Sequence, residues 1–407
     1  MSWLIIADDL SGAADCAIGF AALGARTVVT LDAAAATDVT GADVVAADAD
    51  SRRLPPADAA ARNVDAWRCG HAEGRRLYKK IDSTLRGNWA AETAALQPLA
   101  GLAIVAPAFP ATGRTTRDGR MLVNGQPLED TDIWRLEGID GAADMAALLT
   151  AQGLRTARIS LYTLQAGATA VRSQLDAWQA EGYHAVVCDA EVAQDLITLA
   201  EASIDLDYPA FWVGSGGLAR ALAAVSPLPR RRPAGAPSAA HDGPVLTMVG
   251  SMSGVSGQQA RYLCERAGID SLVVPPQALR DGPGHADWTD AQAAVAECLT
   301  AGRDLLVCIG RDDAFDPAEG PKLASALAQL VLPAFGHVGG LVATGGETAR
   351  AMLAAAGIGA LRLQREVEPG VPLSETMTAP ARRIVTKAGA FGTESALWLA
   401  WQAMRPT

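Results

Sequence analysis

Two adjacent carboxylates near the N-terminus are the first residues in this chain that could do chemistry. Asp8 and Asp9 directly follow an apolar stretch, residues 3–7, that reads as a buried strand. A carboxylate at that position could accept a proton from a substrate hydroxyl or hold a metal ion. Either could instead cap the next helix. We favour the catalytic interpretation, because the first strand usually lies near the centre of its sheet and ends at the ligand cleft.

A second group of polar side chains surrounds the end of another predicted strand and the polar segment 113–132. Arginine is suited to a bidentate grip on a carboxylate or phosphate, which makes an anionic small molecule the predicted ligand. The alternative is surface charge, which we favour for Lys79 and Arg117. The candidate substrate-binding residues are Lys80, Asp82, Arg86, Arg114 and Asn124.

Three glycine turns follow predicted strands in the second half of the chain, at residues 250–254, 345–348 and 388–392. Together they could surround a nucleotide with backbone N–H groups and hydroxyls. Thr348 is predicted to cap the helix after the second turn. None of the turns fits the P-loop or the usual dinucleotide fingerprint. Ordinary turns in a glycine-rich protein are the open alternative.

Strands alternate with helices along almost the whole chain, and the strands are continuous apolar runs. This pattern predicts an α/β fold of two domains, each a mainly parallel sheet flanked by helices. The nucleotide and substrate sites are expected to face the interdomain cleft. The segment 226–244 holds five prolines and no periodicity. We therefore predict domains at 1–226 and 245–407, joined by a Pro-rich linker at 227–244.

Composition narrows the class of protein. The 407 residues carry a net charge of −11, which argues against an extended nucleic-acid surface. No apolar run is long enough to predict a membrane span, and the N-terminus does not resemble a signal peptide. Six scattered cysteines without C-x-x-C predict free thiols and a cytoplasmic location. The five histidines show no zinc-ligand spacing.

The motifs, taken in order, resemble those of the four-carbon acid sugar kinases, a family first known as a domain of unknown function. In the first half, the matching segments are Ala7-Asp8-Asp9-Leu10-Ser11-Gly12-Ala13, residues 79–87 (KKIDSTLRG), 107–110 (PAFP), 113–116 (GRTT) and 123–125 (VNG). In the second half they are residues 214–219 (GSGGLA), 250–253 (GSMS), 344–349 (TGGETA), 368–372 (EPGVP) and 386–392 (TKAGAFG). The resemblance extends from residue 4 to about residue 397. Glu347 departs from the family pattern, which has Asp at that position.

The resemblance implies an N-terminal acid-sugar domain, a C-terminal nucleotide domain and ATP-dependent phosphorylation of a C4 hydroxyl, with Mg²⁺ bridging the phosphates. D-threonate or D-erythronate is the favoured substrate. A 3-oxo-tetronate, another aldonate, or a non-catalytic nucleotide-binding regulatory role are the alternatives. Asp8 and Asp9 would be catalytic, although which of them acts as base stays open, as do the metal ligands. A homodimer is an open alternative for the assembly. The residues implied to hold ATP are Ser251, Ser253, Gly345, Gly346, Glu347, Thr348 and Gly389.

Overall fold

A computed structural model describes residues 2–32, 39, 41–72, 74–136, 141–230, 242–251, 253–312, 316, 319–389 and 391–405. The chain forms two compact units, Met1–Arg231 and Arg232–Thr407, called here the N-terminal and C-terminal units. Most of the predicted linker at 227–244, namely residues 231–241, lies outside the described residues. No helix in the described ranges is both long and apolar enough to cross a bilayer.

The N-terminal unit is built on a parallel sheet. Its strands are short and almost wholly buried, as expected for strands covered on both faces. They are β1 (Ser2–Ala7), β2 (Thr27–Thr30), β3 (Val44–Asp48), β4 (Arg75–Lys80), β5 (Leu102–Ala106), β9 (Thr156–Ile159), β10 (Ala185–Cys188) and β11 (Ala210–Gly214). Three further short strands lie outside this sheet: β6 (Arg114–Arg117), β7 (Arg120–Val123) and β8 (Gln126–Pro127).

The strand order in the N-terminal unit is β2-β3-β1-β4-β11-β5-β10-β9, and every described pairing in it is parallel. Strand β1 therefore has neighbours on both sides, as predicted. The register sets Ala7 opposite Asp48 on one side and Lys80 on the other. Parallel strands end at a common edge, so the residues that follow β1, β3 and β4 are brought together.

Helices cover both faces of this sheet. Alternate residues of β1 point to opposite layers: Leu4 and Ile6 join one core cluster, while the Trp3 ring lies 5.4 Å from Phe20 and 5.1 Å from Trp212. The helices are α1 (Leu10–Ala22), α2 (Pro56–Gly70), α3 (Trp89–Ala100), α4 (Asp132–Leu136), α5 (Met145–Ala151), α6 (Leu161–Gln165), α7 (Ala168–Ala180), α8 (Ala193–Ser203) and α9 (Gly216–Val225).

The C-terminal unit repeats the α/β plan with one difference. Its strands are β12 (Val245–Val249), β13 (Asp270–Val274), β14 (Leu305–Ile309), β15 (Gly340–Thr344), β16 (Ala360–Glu368), β17 (Val371–Thr376) and β18 (Arg383–Lys387). They are ordered β13-β14-β12-β15-β18-β17-β16. The first five pair in parallel, whereas β17 runs antiparallel to both β16 and β18. The sequence did not predict β17, which follows a two-residue turn after β16.

The helices of the C-terminal unit are α10 (Gly254–Ala267), α11 (Pro276–Asp281), α12 (Ala286–Thr300), α13 (Gly320–Val331), α14 (Gly346–Ala355) and α15 (Ala396–Met404). One core cluster joins Leu263 of α10 and Leu397 of α15 to strand residues such as Val342. The predicted fold class, α/β with mainly parallel sheets flanked by helices, is confirmed. The interdomain cleft stays a prediction.

Candidate active site

Three carboxylates and two cations form a buried cluster at the carboxyl edge of the N-terminal sheet. Arg52, in the loop after β3, donates from Nε to Asp8 Oδ2 at 2.6 Å and from Nη1 to Asp9 Oδ2 at 2.9 Å. Its Nη2 lies 4.0 Å from Asp82 Oδ1. Lys80 Nζ lies 3.6 Å from Asp8 Oδ1 and 3.8 Å from Asp9 Oδ1. The structure thus brings four of the predicted site residues together with Arg52: Asp8, Asp9, Lys80 and Asp82.

The two catalytic candidates have different surroundings. The Asp8 side chain is 3% exposed and accepts two bonds from Arg52, whereas that of Asp9 is 25% exposed. Asp9 also caps α1, because its Oδ1 accepts from Gly12 N at 2.9 Å. Capping, offered as the alternative to catalysis, is therefore a real role of Asp9. The Asp9 carboxylate nevertheless stays partly exposed, at the surface of the cluster.

Charge neighbours control the ionisation of this cluster. Burial alone would raise the pKa of Asp8, but Arg52 and Lys80 outweigh it and hold that pKa well below its usual range. For Asp82 the effect of burial is likewise outweighed, chiefly by Arg86, which holds the pKa of Asp82 well below its usual range. Burial would lower the pKa of Lys80, but Asp8 and Asp9 raise it. All three groups therefore stay charged at neutral pH.

Asp82 organises the turn after β4. Its Oδ2 accepts from Thr84 N at 3.0 Å and from the Thr84 hydroxyl, and Arg86 forms a bidentate pair with it at 2.9 and 3.0 Å. Leu85 sits in the same turn with φ +57°, in the left-handed region that bulky residues rarely adopt. The side-chain bonds of Asp82 stabilise this turn and fix the position of the Arg86 guanidinium.

Arg114 interacts electrostatically with Asp82 and Arg86. Burial lowers the pKa of Arg114, while Asp82 raises it and Arg86 lowers it. Its Nη1 donates to the Thr112 carbonyl, but its buried Nε has no hydrogen-bond partner among the described residues. A buried guanidinium N–H without an acceptor is costly unless a ligand or water provides one.

Asn124 stands apart from the carboxylates in the described contacts. It follows β7 with φ +52°, and its N donates to Gly113 O at 2.7 Å. A Cβ on Gly113 would lie 2.0 Å from Asn124 Oδ1, so glycine is required there. Because Arg114 pairs with Val123 in the β6–β7 hairpin, Asn124 lies at the same end of that hairpin as Arg114.

One residue in this region differs from its predicted role. Lys79, predicted to be surface charge, is fully buried and pairs with Glu92 at 2.8 Å. The prediction was wrong because Glu92 is contributed by α3, which only the fold brings beside β4. Arg117 is exposed, as predicted, and pairs with Glu191. Arg52 was missed, although its position just beyond Asp48 and Asp50 at the end of a predicted strand was a usable signal.

The three glycine turns of the C-terminal unit meet at one edge, because β12, β15 and β18 are adjacent. Ser253 Oγ lies 3.2 Å from Ser251 Oγ and donates to Gly389 O at 3.3 Å. A Cβ on Gly389 would lie 2.1 Å from Ser251 Oγ, and one on Gly250 would lie 1.8 Å from Thr348 Oγ1. The glycines allow these close approaches. Met252 and Ala390 lie outside the described residues.

Gly345, not Thr348, is the N-cap of α14. Its φ of +92° turns the chain sharply out of β15, and its N donates to Lys387 O at 2.8 Å. Thr348 was predicted to cap this helix, but the helix begins at Gly346, so Thr348 lies buried in the first turn. Gly346, Glu347 and Thr348 thus form the helix N-terminus, whose free N–H groups favour an anion.

Two further residues of the C-terminal turns were not among the predicted site residues. Ser256 Oγ donates to Gly389 O at 2.7 Å. Lys387, at the end of β18, is buried, and its Nζ donates to the carbonyls of Ala388, Gly389 and Phe391 at 2.8–3.1 Å. Burial lowers the pKa of Lys387 to about 8. A cation therefore lies directly beneath the turn at Gly389.

Each half of the chain matches its own family model. Residues 3–222 match a family model described as a sugar-binding N-terminal domain, and residues 246–397 match one described as a nucleotide-binding C-terminal domain. A D-threonate kinase of Cupriavidus necator is 67% identical over 99% of this chain and 98% of its own length. A D-threonate kinase of Bordetella bronchiseptica is 36% identical, covering 98% of this chain and 97% of that protein.

A solved structure from Salmonella typhimurium LT2, provisionally described as a tRNA synthase, has a TM-score of 0.81 at 25% identity. It covers 99% of this chain and 100% of that one. The fold is thus shared over the full chain, while the more similar relatives carry kinase names. The chain belongs to the four-carbon acid sugar kinase family, as its motifs indicated. Kinase membership and the nucleotide-binding domain support ATP as the phosphoryl donor.

Proposed function

We propose that this protein is an ATP-dependent D-threonate kinase that phosphorylates the C4 hydroxyl. The 67% identical relative, which aligns over nearly the whole chain, is a D-threonate kinase. Two others with that name are 36% and 32% identical. In the reaction, the bond between the γ-phosphorus and the ADP oxygen breaks and a bond to the C4 oxygen forms. The hydroxyl proton is released, directly or through a carboxylate.

The observation that carries the substrate assignment is a buried guanidinium donor without an acceptor among the described residues, beside a cluster of charged side chains. The carboxylates of Asp8, Asp9 and Asp82 face four cations, Arg52, Lys80, Arg86 and Arg114. The acid sugar would bring one further carboxylate to these cations. Arg114 Nε, buried and without an acceptor in the described residues, is the donor we assign to it. Asn124, at the same end of the hairpin, is proposed to bind a sugar hydroxyl.

We assign different roles to Asp8 and Asp9, the two carboxylates that follow β1. Asp8 is buried between Arg52 and Lys80 and holds both cations in place. We assign contact with the C4 hydroxyl to Asp9, which is partly exposed. Its task is to orient the hydroxyl and accept its proton as the oxygen–phosphorus bond forms. Phosphoryl transfer asks for little covalent chemistry, so positioning and charge stabilisation account for most of the catalysis.

The glycine turns of the C-terminal unit are proposed to bind the ATP phosphates. Backbone N–H groups of Gly346 and Gly389 and the hydroxyls of Ser251, Ser253 and Thr348 are the proposed donors. Gly345, whose own N–H is bonded to Lys387 O, forms the turn that brings the helix N-terminus to the phosphates. This edge offers what a phosphate needs: a helix N-terminus, hydroxyls and a cation under the turn. The proposed location is the cytoplasm, where ATP is available. The six cysteines are all free, which also fits a reducing compartment.

Mg²⁺ fits this arrangement as a phosphate-bound ion. Among the described residues no group of three or more His, Cys, Asp or Glu side chains lies close enough to hold a metal. Magnesium commonly binds through substrate phosphates and only one or two carboxylates. Glu347, half-buried in the first turn of α14, is the carboxylate we propose for this role. When bound, Mg²⁺ neutralises charge on the transferring phosphoryl group.

The test is a panel of acid sugars assayed for ADP release with Mg·ATP: D-threonate, L-threonate, D-erythronate, a 3-oxo-tetronate and a five-carbon aldonate. We expect the highest kcat/KM for D-threonate, with phosphate found on C4 by NMR. A higher kcat/KM for another acid would replace D-threonate as the substrate. If ATP binds but no acid is phosphorylated, the chain is a nucleotide-binding protein without this activity.

A further inference from the structure

A buried glutamine of α10, Gln259, is bonded to the third glycine turn of the C-terminal unit, residues 388–392. Gln259 is fully buried, and its Nε2 donates to the carbonyls of Phe391, Gly392 and Thr393 at 3.1, 3.3 and 2.7 Å. An amide oxygen in that place would face three carbonyl oxygens, so the NH2 group is the end that contacts the turn. Gln259 is therefore a donor to this turn.

Two more buried side chains hold the first half of the same turn. Lys387 Nζ donates to the Gly389 carbonyl at 2.8 Å. It also donates to the Phe391 carbonyl at 3.1 Å, so that carbonyl is shared with Gln259. Ser256 lies one turn before Gln259 on the same face of α10 and donates to the Gly389 carbonyl at 2.7 Å. Every described carbonyl of the turn thus accepts from one of these three side chains.

The direction of these carbonyls sets the direction of the amide N–H groups. In a trans peptide the C=O of one residue and the N–H of the next point in opposite directions. Because the Ala388 carbonyl accepts from Lys387 at 3.0 Å, the N–H of Gly389 points away from the lysine, and it has no acceptor in the described part of the chain. Just after the turn, another N–H of this kind already binds an anionic oxygen: Thr393 N donates to Glu368 Oε1 at 2.9 Å.

The other end of the Gln259 amide is unsatisfied. Its Oε1 is buried and has no hydrogen-bond donor among the described residues, which lowers stability. A methionine has a side chain of similar length and would bury no such oxygen. What the amide adds at this position is the set of bonds to the turn.

We propose that Gln259 is a positioning residue for the phosphates of the donor nucleotide, acting through the turn whose carbonyls it holds. It contacts no phosphate itself. Its bonds prevent the peptide planes of the turn from rotating, which would present carbonyl oxygens to the phosphates in place of the Gly389 N–H. This inference rests on the proposed ATP-dependent function and adds to it a residue of α10 outside the predicted nucleotide site.

The test replaces Gln259→Met, which keeps the length of the side chain and removes its donor. The matched control is Gln258→Met, at the exposed neighbouring position of the same helix. We expect Gln259→Met to raise KM for ATP about tenfold, with kcat and KM for the acid sugar unchanged, because phosphate binding is lost equally in the ground and transition states. Gln258→Met should leave all three constants unchanged. Equal KM values for ATP in the two variants would overturn the proposal.

Binding measurements test the same role without turnover. In calorimetric titrations of the full chain, ADP and inorganic tripolyphosphate should both bind about tenfold more weakly to Gln259→Met than to the parent. Ser256→Ala, which releases only the Gly389 carbonyl, should weaken both ligands by a smaller factor, and it provides the test if Gln259→Met does not fold. Unchanged tripolyphosphate binding in the folded variants would overturn the proposal.

The two proposals fail in different ways. If no acid sugar is phosphorylated while tripolyphosphate binding is weakened in Gln259→Met, the kinase proposal fails and the positioning role stands. If the parent phosphorylates an acid sugar while Gln259→Met binds ADP and tripolyphosphate as the parent does, the kinase proposal stands and the positioning role is overturned.

Discussion

At the residue scale, Asp8 and Asp9 have identical side chains but differ in burial and in charged neighbours. Arg52 and Lys80 surround Asp8, whose pKa they hold far below its usual range, although burial acts against them. A carboxylate so strongly stabilised as an anion is a weak base, but a good anchor for two cations. Asp9 keeps a quarter of its side-chain surface exposed. We therefore propose that the more accessible member of the pair, Asp9, is the reactive one.

Substitution of each carboxylate separates these roles. We expect Asp9→Asn to lower kcat about 100-fold with little change in KM for the acid sugar, because general-base catalysis is lost. Asp8→Asn should instead raise that KM and lower the melting temperature, because Arg52 and Lys80 lose their shared partner. Steady-state kinetics and calorimetry give both readouts. A kcat for Asp9→Asn equal to that of the parent would remove Asp9 from the chemistry.

The lowered pKa of Lys387 predicts that rising pH weakens ATP binding but increases the contribution of Lys387 to the stability of the fold. Its pKa is lowered by burial to about 8, so its positive charge beneath the Gly389 turn disappears as pH rises through 8. ATP binding should weaken over that interval. In the unfolded chain the lysine stays protonated to about pH 10.4. The unfolded state then binds more protons between these values, so the contribution of Lys387 to stability rises with pH.

Calorimetric ADP titrations from pH 7 to 9.5 measure the binding part of this prediction. The parent protein should lose affinity above about pH 8. Lys387→Met, which has no charge to lose, should bind weakly and show no inflection there. An inflection that persists in Lys387→Met would assign it to another group. Chemical unfolding over the same pH range checks the stability sign.

At the scale of elements, a buried ion pair holds the loop that carries Arg52. Lys79 of β4 and Glu92 of α3 are 2.8 Å apart, and their side chains are at most 1% exposed. Glu92 Oε1 also accepts from Ser51 Oγ at 2.5 Å, and Ser51 accepts from Asn63 of α2 at 3.2 Å. Two helices and a strand therefore fix the backbone one residue before Arg52.

Breaking this pair should be costly. Glu92→Gln leaves the Lys79 ammonium buried without a counter-charge, which typically costs about 3–5 kcal/mol of stability. We expect a lower melting temperature for the N-terminal unit and a higher KM for the acid sugar, as Arg52 loses its position. The double substitution Lys79→Met with Glu92→Leu should recover much of the stability.

The matched control is Asp65→Asn in the exposed pair with Arg68, 3.4 Å apart, where the expected cost is below about 1 kcal/mol. If Glu92→Gln is no more destabilising than this control, the buried pair does not hold the loop. Calorimetric melting of all four proteins makes the comparison.

The sequence was sufficient for features that depend on local pattern. Apolar runs alternating with helical periodicity predict parallel sheets, and a glycine turn after a strand predicts where Gly345 and Gly389 lie. It was insufficient where a residue's role depends on a partner from another element. Lys79 looks like a surface charge until α3 brings Glu92 beside it, and Arg52 is central only because β1, β3 and β4 end together. Thr348 was misplaced by one turn because Gly345 has a backbone conformation that the residue types alone did not specify.

At the scale of the whole molecule, each of the two units contains one of the two proposed sites. Each proposed site lies at the carboxyl ends of parallel strands of its own unit, so each ligand should stabilise the unit that binds it. The proposed ligands contact the loops at the strand ends, so binding should order the backbone of those loops. Binding should therefore be visible as slower amide exchange in loops of one unit at a time.

Hydrogen exchange followed by mass spectrometry tests this division on the full chain. D-threonate alone should slow exchange in residues 8–12, 50–54 and 82–88, because the acid sugar would order the loops that hold Asp9, Arg52 and Arg86. ADP alone should slow exchange in residues 253–260, 345–348 and 387–389. A non-ligand such as D-threitol, which lacks the carboxylate, should change neither set. Protection of the C-terminal turns by D-threonate alone, or of the residues around Arg52 by ADP alone, would contradict the assignment of one ligand to each unit.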